Sequence, residues 1–144
     1  MKRCFFIGHR DTPTSVLPNL SAAIESLIEQ HGVEEFIVGH YGEFDRLVTA
    51  ALTNIQKRHP SIRFCLLIPY HPSLHPVELP AGFHSSVYPP DMERIPLRYA
   101  IVRANRYAID HSDFLIACIR YSPSNATKFV EYARKKALCH VLMV

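Results

Sequence analysis

The sequence predicts an α/β fold: a Rossmann-like, three-layer arrangement of a five-stranded parallel sheet, order 3-2-1-4-5, with helices on both faces. Three observations predict it. Five short apolar runs are continuous rather than alternating, as strands covered on both faces should be. Segments with a 3.6-residue apolar period lie between most of them. Strand and helix then follow one another along the chain, which implies right-handed crossovers and parallel pairing. The 144 residues suit one domain with a proper core, and we read 1–144 as a single domain.

The first run, Arg3–Gly8, follows Met1-Lys2 and is too short for the apolar region of a signal peptide, so it reads as a buried strand. The first helix spans roughly Leu17 to His31, with Leu20, Ala23, Ile24, Leu27 and Ile28 on one stripe and Gly32 as its stop. Glu35–Gly39 is the second strand. A helix from Glu43 to about Arg58 follows, placing Phe44, Leu47, Val48, Ala51, Leu52 and Ile55 on one face before Pro60. Arg63–Pro69 is the third strand. The segment from Tyr70 to Met92 has no helical period and, with Pro69, holds six of the eleven prolines. A loop of that length in a compact domain is usually functional or mobile, and here it can serve as a lid. Val87-Tyr88 offers a short edge strand within it. A third helix runs from about Leu97 to His111, then come the strand Phe114–Ile119, a fourth helix from about Ala126 to Lys136, and the last strand His140–Val144.

Composition narrows the function classes. With 48% hydrophobic and 20% charged residues, the chain is an ordinary globule rather than a disordered or fibrous one. The formal charge of +3 permits an anionic ligand but lacks the concentrated basic stripe of a dedicated nucleic-acid binder, so nucleic acid is not an expected partner. No apolar run reaches the roughly 20 residues that cross a bilayer, and the expected location is cytoplasmic. Cys4, Cys65, Cys118 and Cys139 are widely spaced inside apolar runs and read as packed free thiols. Neither this spacing nor that of the histidines suits a metal, so none is expected.

Ligands of open parallel sheets bind outside the carboxyl ends of the strands, where the chain order reverses. The turns after the strands therefore supply the candidates. After the first strand, Gly8 permits close backbone approach and His9 and Arg10 offer donors to a phosphate or carboxylate. After the second, Gly39, Tyr41 and Gly42 precede a helix start, where free amides can cradle an anion. Asp45 lies in that first helical turn, where favouring the helix dipole is its plain alternative role. After the fourth, Ser122, Asn125 and Thr127 are either ligand contacts or helix caps. Tyr70, at the mouth of the long loop, and Tyr41 are candidates for a base or ribose. Arg94, Arg98, Arg103 and Arg106 form a row in and before the third helix, facing either a ligand or solvent. No GxGxxG fingerprint or Walker lysine motif is present.

Residues 4–11 (CFFIGHRD), 38–48 (VGHYGEFDRLV), 87–101 (VYPPDMERIPLRYAI), 105–119 (NRYAIDHSDFLIACI) and 126–137 (ATKFVEYARKKA) together resemble the SMF/DprA–LOG (SLOG) superfamily of Rossmann-like proteins, in particular a branch of small bacterial members. The resemblance implies a pocket for a nucleotide or a nucleotide derivative such as ADP-ribose, and pairing into a homodimer. Its lonely-guy branch implies a nucleoside-phosphate N-glycosidic hydrolase as an alternative, with Glu131 polarising water or the ribose and Arg103 standing in for the family's helix arginine. Against that branch's PGGxGTxxE loop, Pro123 and Glu131 match, while Ser124, Asn125 and Thr127 replace the three glycines. Its DNA-processing branch implies a third possibility, a single-stranded DNA-binding module.

Overall fold

The computed structural model describes residues 1–136 and 139–144. Along the chain these residues form β1 (Lys2–Ile7), α1 (Leu17–His31), β2 (Val33–Val38), α2 (Glu43–Gln56), β3 (Arg63–Leu67), β4 (Ser85–Val87), α3 (Ala100–Asp110), β5 (Phe114–Ala117), α4 (Asn125–Arg134) and β6 (His140–Met143). The strands make one sheet in the order β4-β3-β2-β1-β5-β6, with every neighbouring pair parallel. This is the expected Rossmann-like architecture with one addition. The sheet has six strands because Ser85–Val87 pairs with Cys65–Leu67 at the edge. That strand lies inside the expected long loop, which is pinned further by Phe83, buried edge-on against Phe64 at 5.1 Å.

Successive strand residues point to opposite faces, so each strand feeds two cores. Cys4, Phe6, Phe36, Val38, Phe64, Leu66 and Ile116 pack with Leu20, Ile24 and Leu27 of α1 and the apolar stripe of α2. Phe5, Ile7, Ile37, Leu67, Leu115 and Ala117 pack instead with Ala104 and Ala108 of α3 and Phe129, Val130 and Ala133 of α4.

The helix ends follow local chemistry. Gly32 closes α1 in the left-handed region (φ 66°), its N–H donating back to the carbonyls of Ile28 and Leu27. α2 ends two residues before the predicted limit, because Lys57, Arg58 and His59 donate to Asn54 and Ile55 in a tightening last turn. The third helix begins as a 3₁₀ turn over Leu97–Tyr99 and becomes α-helical only at Ala100. Glu25 of α1 and Arg58 after α2 form an ion pair across the outer surface. No helix among the described residues is long and apolar enough to cross a membrane.

Candidate functional site

The chain order reverses between β1 and β5, and the turns after those two strands are locked together. His9 is buried, and its Nε2 accepts a hydrogen bond from the Arg120 amide at 3.0 Å. An accepting Nε2 carries no proton, which assigns the ring proton to Nδ1. The His9 ring stacks on Tyr121 at 3.9 Å between centroids, and the Tyr121 hydroxyl donates to Asp11. That hydrogen bond is the main cause that raises the Tyr121 phenol above its ordinary pKa. Thr12 completes the turn: its hydroxyl donates to the His9 carbonyl and accepts from the His9 amide.

The glycines at this edge make room for side chains. A Cβ on Gly8 would stand 2.2 Å from Cγ of Phe44, so Gly8 admits the first turn of α2 against the end of β1. A Cβ on Gly39 would stand 2.7 Å from Oδ2 of Asp45, and one on Gly42 would stand 2.7 Å from Cα of Arg10. The sequence assigns the Gly39–Gly42 turn the role of presenting amides to an anion, and three amides of the turn and the helix start are engaged within the protein instead. The Tyr41 amide donates to Asp45, the Glu43 amide to the Arg10 carbonyl, and the Phe44 amide to the His9 carbonyl. These donors are already occupied.

Between the glycine-packed turns and α3 opens a cavity of about 450 Å³ at the carboxyl ends of β1, β2 and β3, bordered by the turn that follows β5. Seven of the residues anticipated from the sequence line it: Gly8, His9, Arg10, Gly39, Tyr41, Asp45 and Asn125. Gly42 lies behind Arg10, Ser122 is exposed in the turn, and Thr127 serves the cap of α4. Tyr70 lines a separate, adjoining hollow. Arg103 and Glu131 are exposed and outside the lining, so the residues assigned to hydrolysis do not converge on this space.

Of the arginine row that the sequence leaves facing either a ligand or solvent, Arg98 lines the cavity, and so do Asn105, Tyr121 and Ser124, which sequence reasoning did not single out as ligand contacts. The signal for two of them was helical spacing: Arg98, Ile101, Val102 and Asn105 fall on one stripe and all face the opening. Two cations border the space, Arg10 and Arg98, and among the described residues neither is in an ion pair. At the start of α4 the Ser124 hydroxyl caps the Thr127 amide at 3.1 Å. The amides of Asn125 and Ala126, which belong to lining residues, have no hydrogen-bond partner among the described residues. The start of the fourth helix therefore adds candidate anion-binding amides to this edge of the sheet.

Among the described residues, Asp45 is the one carboxylate in the lining. Burial pushes its pKa up to about 7, only partly countered by the hydrogen bond from the Tyr41 amide. It therefore switches between a donating carboxyl and an accepting carboxylate near neutral pH. Among the described residues no three histidine, cysteine or acidic side chains cluster as a metal site.

The parallel order, the two helical layers and the cavity at the reversal define a Rossmann-like α/β protein. Among solved structures, the chain is similar to DNA processing protein A from Helicobacter pylori, with a TM-score of 0.64 and 18% identity over 97% of this chain. At that identity the likeness is one of fold, and the chain spans 64% of the neighbour's length. No protein-family profile matches the sequence, and no curated protein does. The neighbour is described as binding single-stranded DNA. This overturns the expectation, drawn from a formal charge of +3, that nucleic acid is not an expected partner. Net charge averages over the whole surface and hides local concentration. Arg94, Arg98, Arg103 and Arg106 are all exposed along one short stretch, and none is in an ion pair among the described residues.

Proposed function

We propose that this protein binds a nucleotide or nucleotide derivative, such as ADP-ribose, in the crevice between the ends of β1 and β5. The observation that carries the reading is the roughly 450 Å³ cavity at the reversal of strand order, bordered by two arginines outside any ion pair and two helix amides without a hydrogen-bond partner among the described residues. Its size falls within the range of about 300–1,000 Å³ typical of small-ligand sites. Arg10, Arg98 and the amides of Asn125 and Ala126 meet the phosphate. Asn105 and Asp45 supply directional hydrogen bonds to ribose or base, and Tyr41 a ring surface.

Titration with AMP, ADP-ribose and NAD, followed by melting temperature and calorimetry, tests this. A bound ligand at 100 times its Kd stabilises by about 2.7 kcal/mol and raises the Tm accordingly. Arg98→Ala is expected to remove most of the effect. A flat response to all three compounds would defeat the reading.

A second reading, single-stranded DNA binding, is favoured by Arg94, Arg98, Arg103 and Arg106, exposed in and before α3 and outside any ion pair among the described residues. Here the cavity holds one nucleotide unit and the row follows the backbone. Binding of an oligothymidylate should then weaken steeply with salt, and a double Arg103→Ala, Arg106→Ala change should flatten that slope by about two phosphate contacts. No binding at low salt removes this reading and leaves the first intact.

A further inference from the structure

Beside the main cavity lies a second hollow of about 270 Å³, lined by His40, Tyr41, Ile68, Pro69, Tyr70, His75 and Val77. Tyr41 and Pro69 line both spaces, so the two are neighbours separated by one wall. The chemistry of the second differs from that of the first. Among the described residues no arginine, lysine, aspartate or glutamate lines it, whereas four of the seven that do carry aromatic rings. The rings form two tilted pairs: His40 and Tyr41 with centroids 4.2 Å apart and 32° between their planes, and Tyr70 and His75 4.6 Å apart at 36°.

The loop that carries the second pair is held by its own hydrogen bonds. The amides of Leu74 and His75 both donate to the His71 carbonyl, and the His71 ring sits edge-on to Tyr88 at 5.4 Å. This turn sets His75 over Tyr70 and gives the hollow its outer wall. A space walled by rings, proline and aliphatic carbon, next to a phosphate-sized set of donors, suits a flat uncharged ring system.

We infer that the second hollow is a base-stacking subsite, and that the preferred ligand carries two aromatic ring systems joined through phosphate, one ring in each space. The inference rests on the nucleotide reading above and specifies its ligand class. Two sources share this chemistry, a 5′–5′ dinucleotide and two consecutive residues of a single strand. Stacking one base on an aromatic side chain is typically worth about tenfold or more in affinity.

Calorimetry with probes that differ by one ring tests it. Diadenosine 5′,5′-diphosphate is compared with ADP-ribose, and the two-residue 5′-phosphorylated thymidine strand with the same strand lacking its second base. In at least one pair the two-ring probe should bind about tenfold tighter to the unaltered protein. Val77→Trp fills the hollow from its exposed rim, and His75→Ala removes one stacking partner. Both should shrink that ratio towards one, while ADP-ribose affinity changes less than twofold. Equal affinities within both pairs overturn the inference and leave the nucleotide reading standing, as long as ADP-ribose or AMP binds. A Val77→Trp protein that loses one-ring and two-ring probes by the same factor overturns it too. Failure of every probe to bind brings down both.

Discussion

Gly8, Gly39 and Gly42 show why a residue type is easier to read than its purpose. Their missing Cβ atoms were visible in the sequence, but a one-dimensional pattern does not say which atom takes the vacated space. Phe44, Asp45 and Arg10 take it. Gly8→Ala should therefore cost about 2–3 kcal/mol in urea denaturation, because Phe44 is fully buried and has nowhere to retreat. Gly32→Ala provides the contrast. Nothing lies within 4 Å of its Cβ position, so only the left-handed backbone is penalised, by about 1 kcal/mol.

Asp45 supplies a pH-dependent prediction at the same scale. Its folded pKa is raised from 3.8 to about 7, so ionisation opposes folding. The penalty is absent below about pH 4, grows through the interval, and is complete above pH 7. Asp45→Asn, whose amide oxygen still accepts from the Tyr41 N–H, should be more stable than the unaltered protein at pH 8 by roughly 1–2 kcal/mol, the open cavity moderating the full shift. At pH 4 the two should melt together. A difference independent of pH would show that the carboxyl is not desolvated.

At the scale of the element, local signals were legible wherever a stop or start residue was present. Gly32 and the apolar stripe of the first helix placed both its ends, and Ser124 at the start of α4 is a cap, as the Ser/Asn/Thr cluster suggested. The exposed Leu97–Tyr99 turn gave no such cue, because helical spacing alone does not separate a 3₁₀ turn from an α-helical one. β4 was visible only as Val87-Tyr88: Ser85 and Ser86 lack strand propensity, and backbone pairing with β3 is what holds them. Ser124→Ala should lower stability by about 1 kcal/mol in thermal denaturation through loss of the cap. It should leave ligand affinity nearly unchanged if the amides of Asn125 and Ala126 keep their direction.

For the whole molecule, the order of the five core strands is the usual one for doubly wound sheets, a regularity that depends on no single residue, which is why it was readable. The site was readable only in part, since its α3 wall comes from residues far in sequence from the glycine turns it faces. Burial of all four thiols is likewise a property of the assembled layers. Burial raises the pKa of Cys4, Cys118 and Cys139, the last to about 11, so thiolate is scarce in the folded protein. A thiol reagent at pH 8 should label the native protein slowly, at a rate tracking unfolding, and label all four cysteines at once in strong denaturant. Rapid labelling without denaturant would contradict the packing of both faces.

The division of the two cores along the chain has a consequence for biosynthesis. β1, β2, β3 and both helices of one layer are complete by residue 67, whereas the opposite layer is supplied by α3 and α4, residues 100–134. A nascent chain leaving the ribosome therefore holds Phe5, Ile7, Ile37 and Leu67 uncovered while the second half is still being made. Over the same interval β1 waits with one edge unsatisfied until β5 arrives to pair with it. An uncovered greasy face beside an open strand edge is what holding chaperones engage and what seeds aggregation. Slow decoding near the middle of the message would lengthen that exposure, and yield of native protein should depend more on translation speed there than at either end.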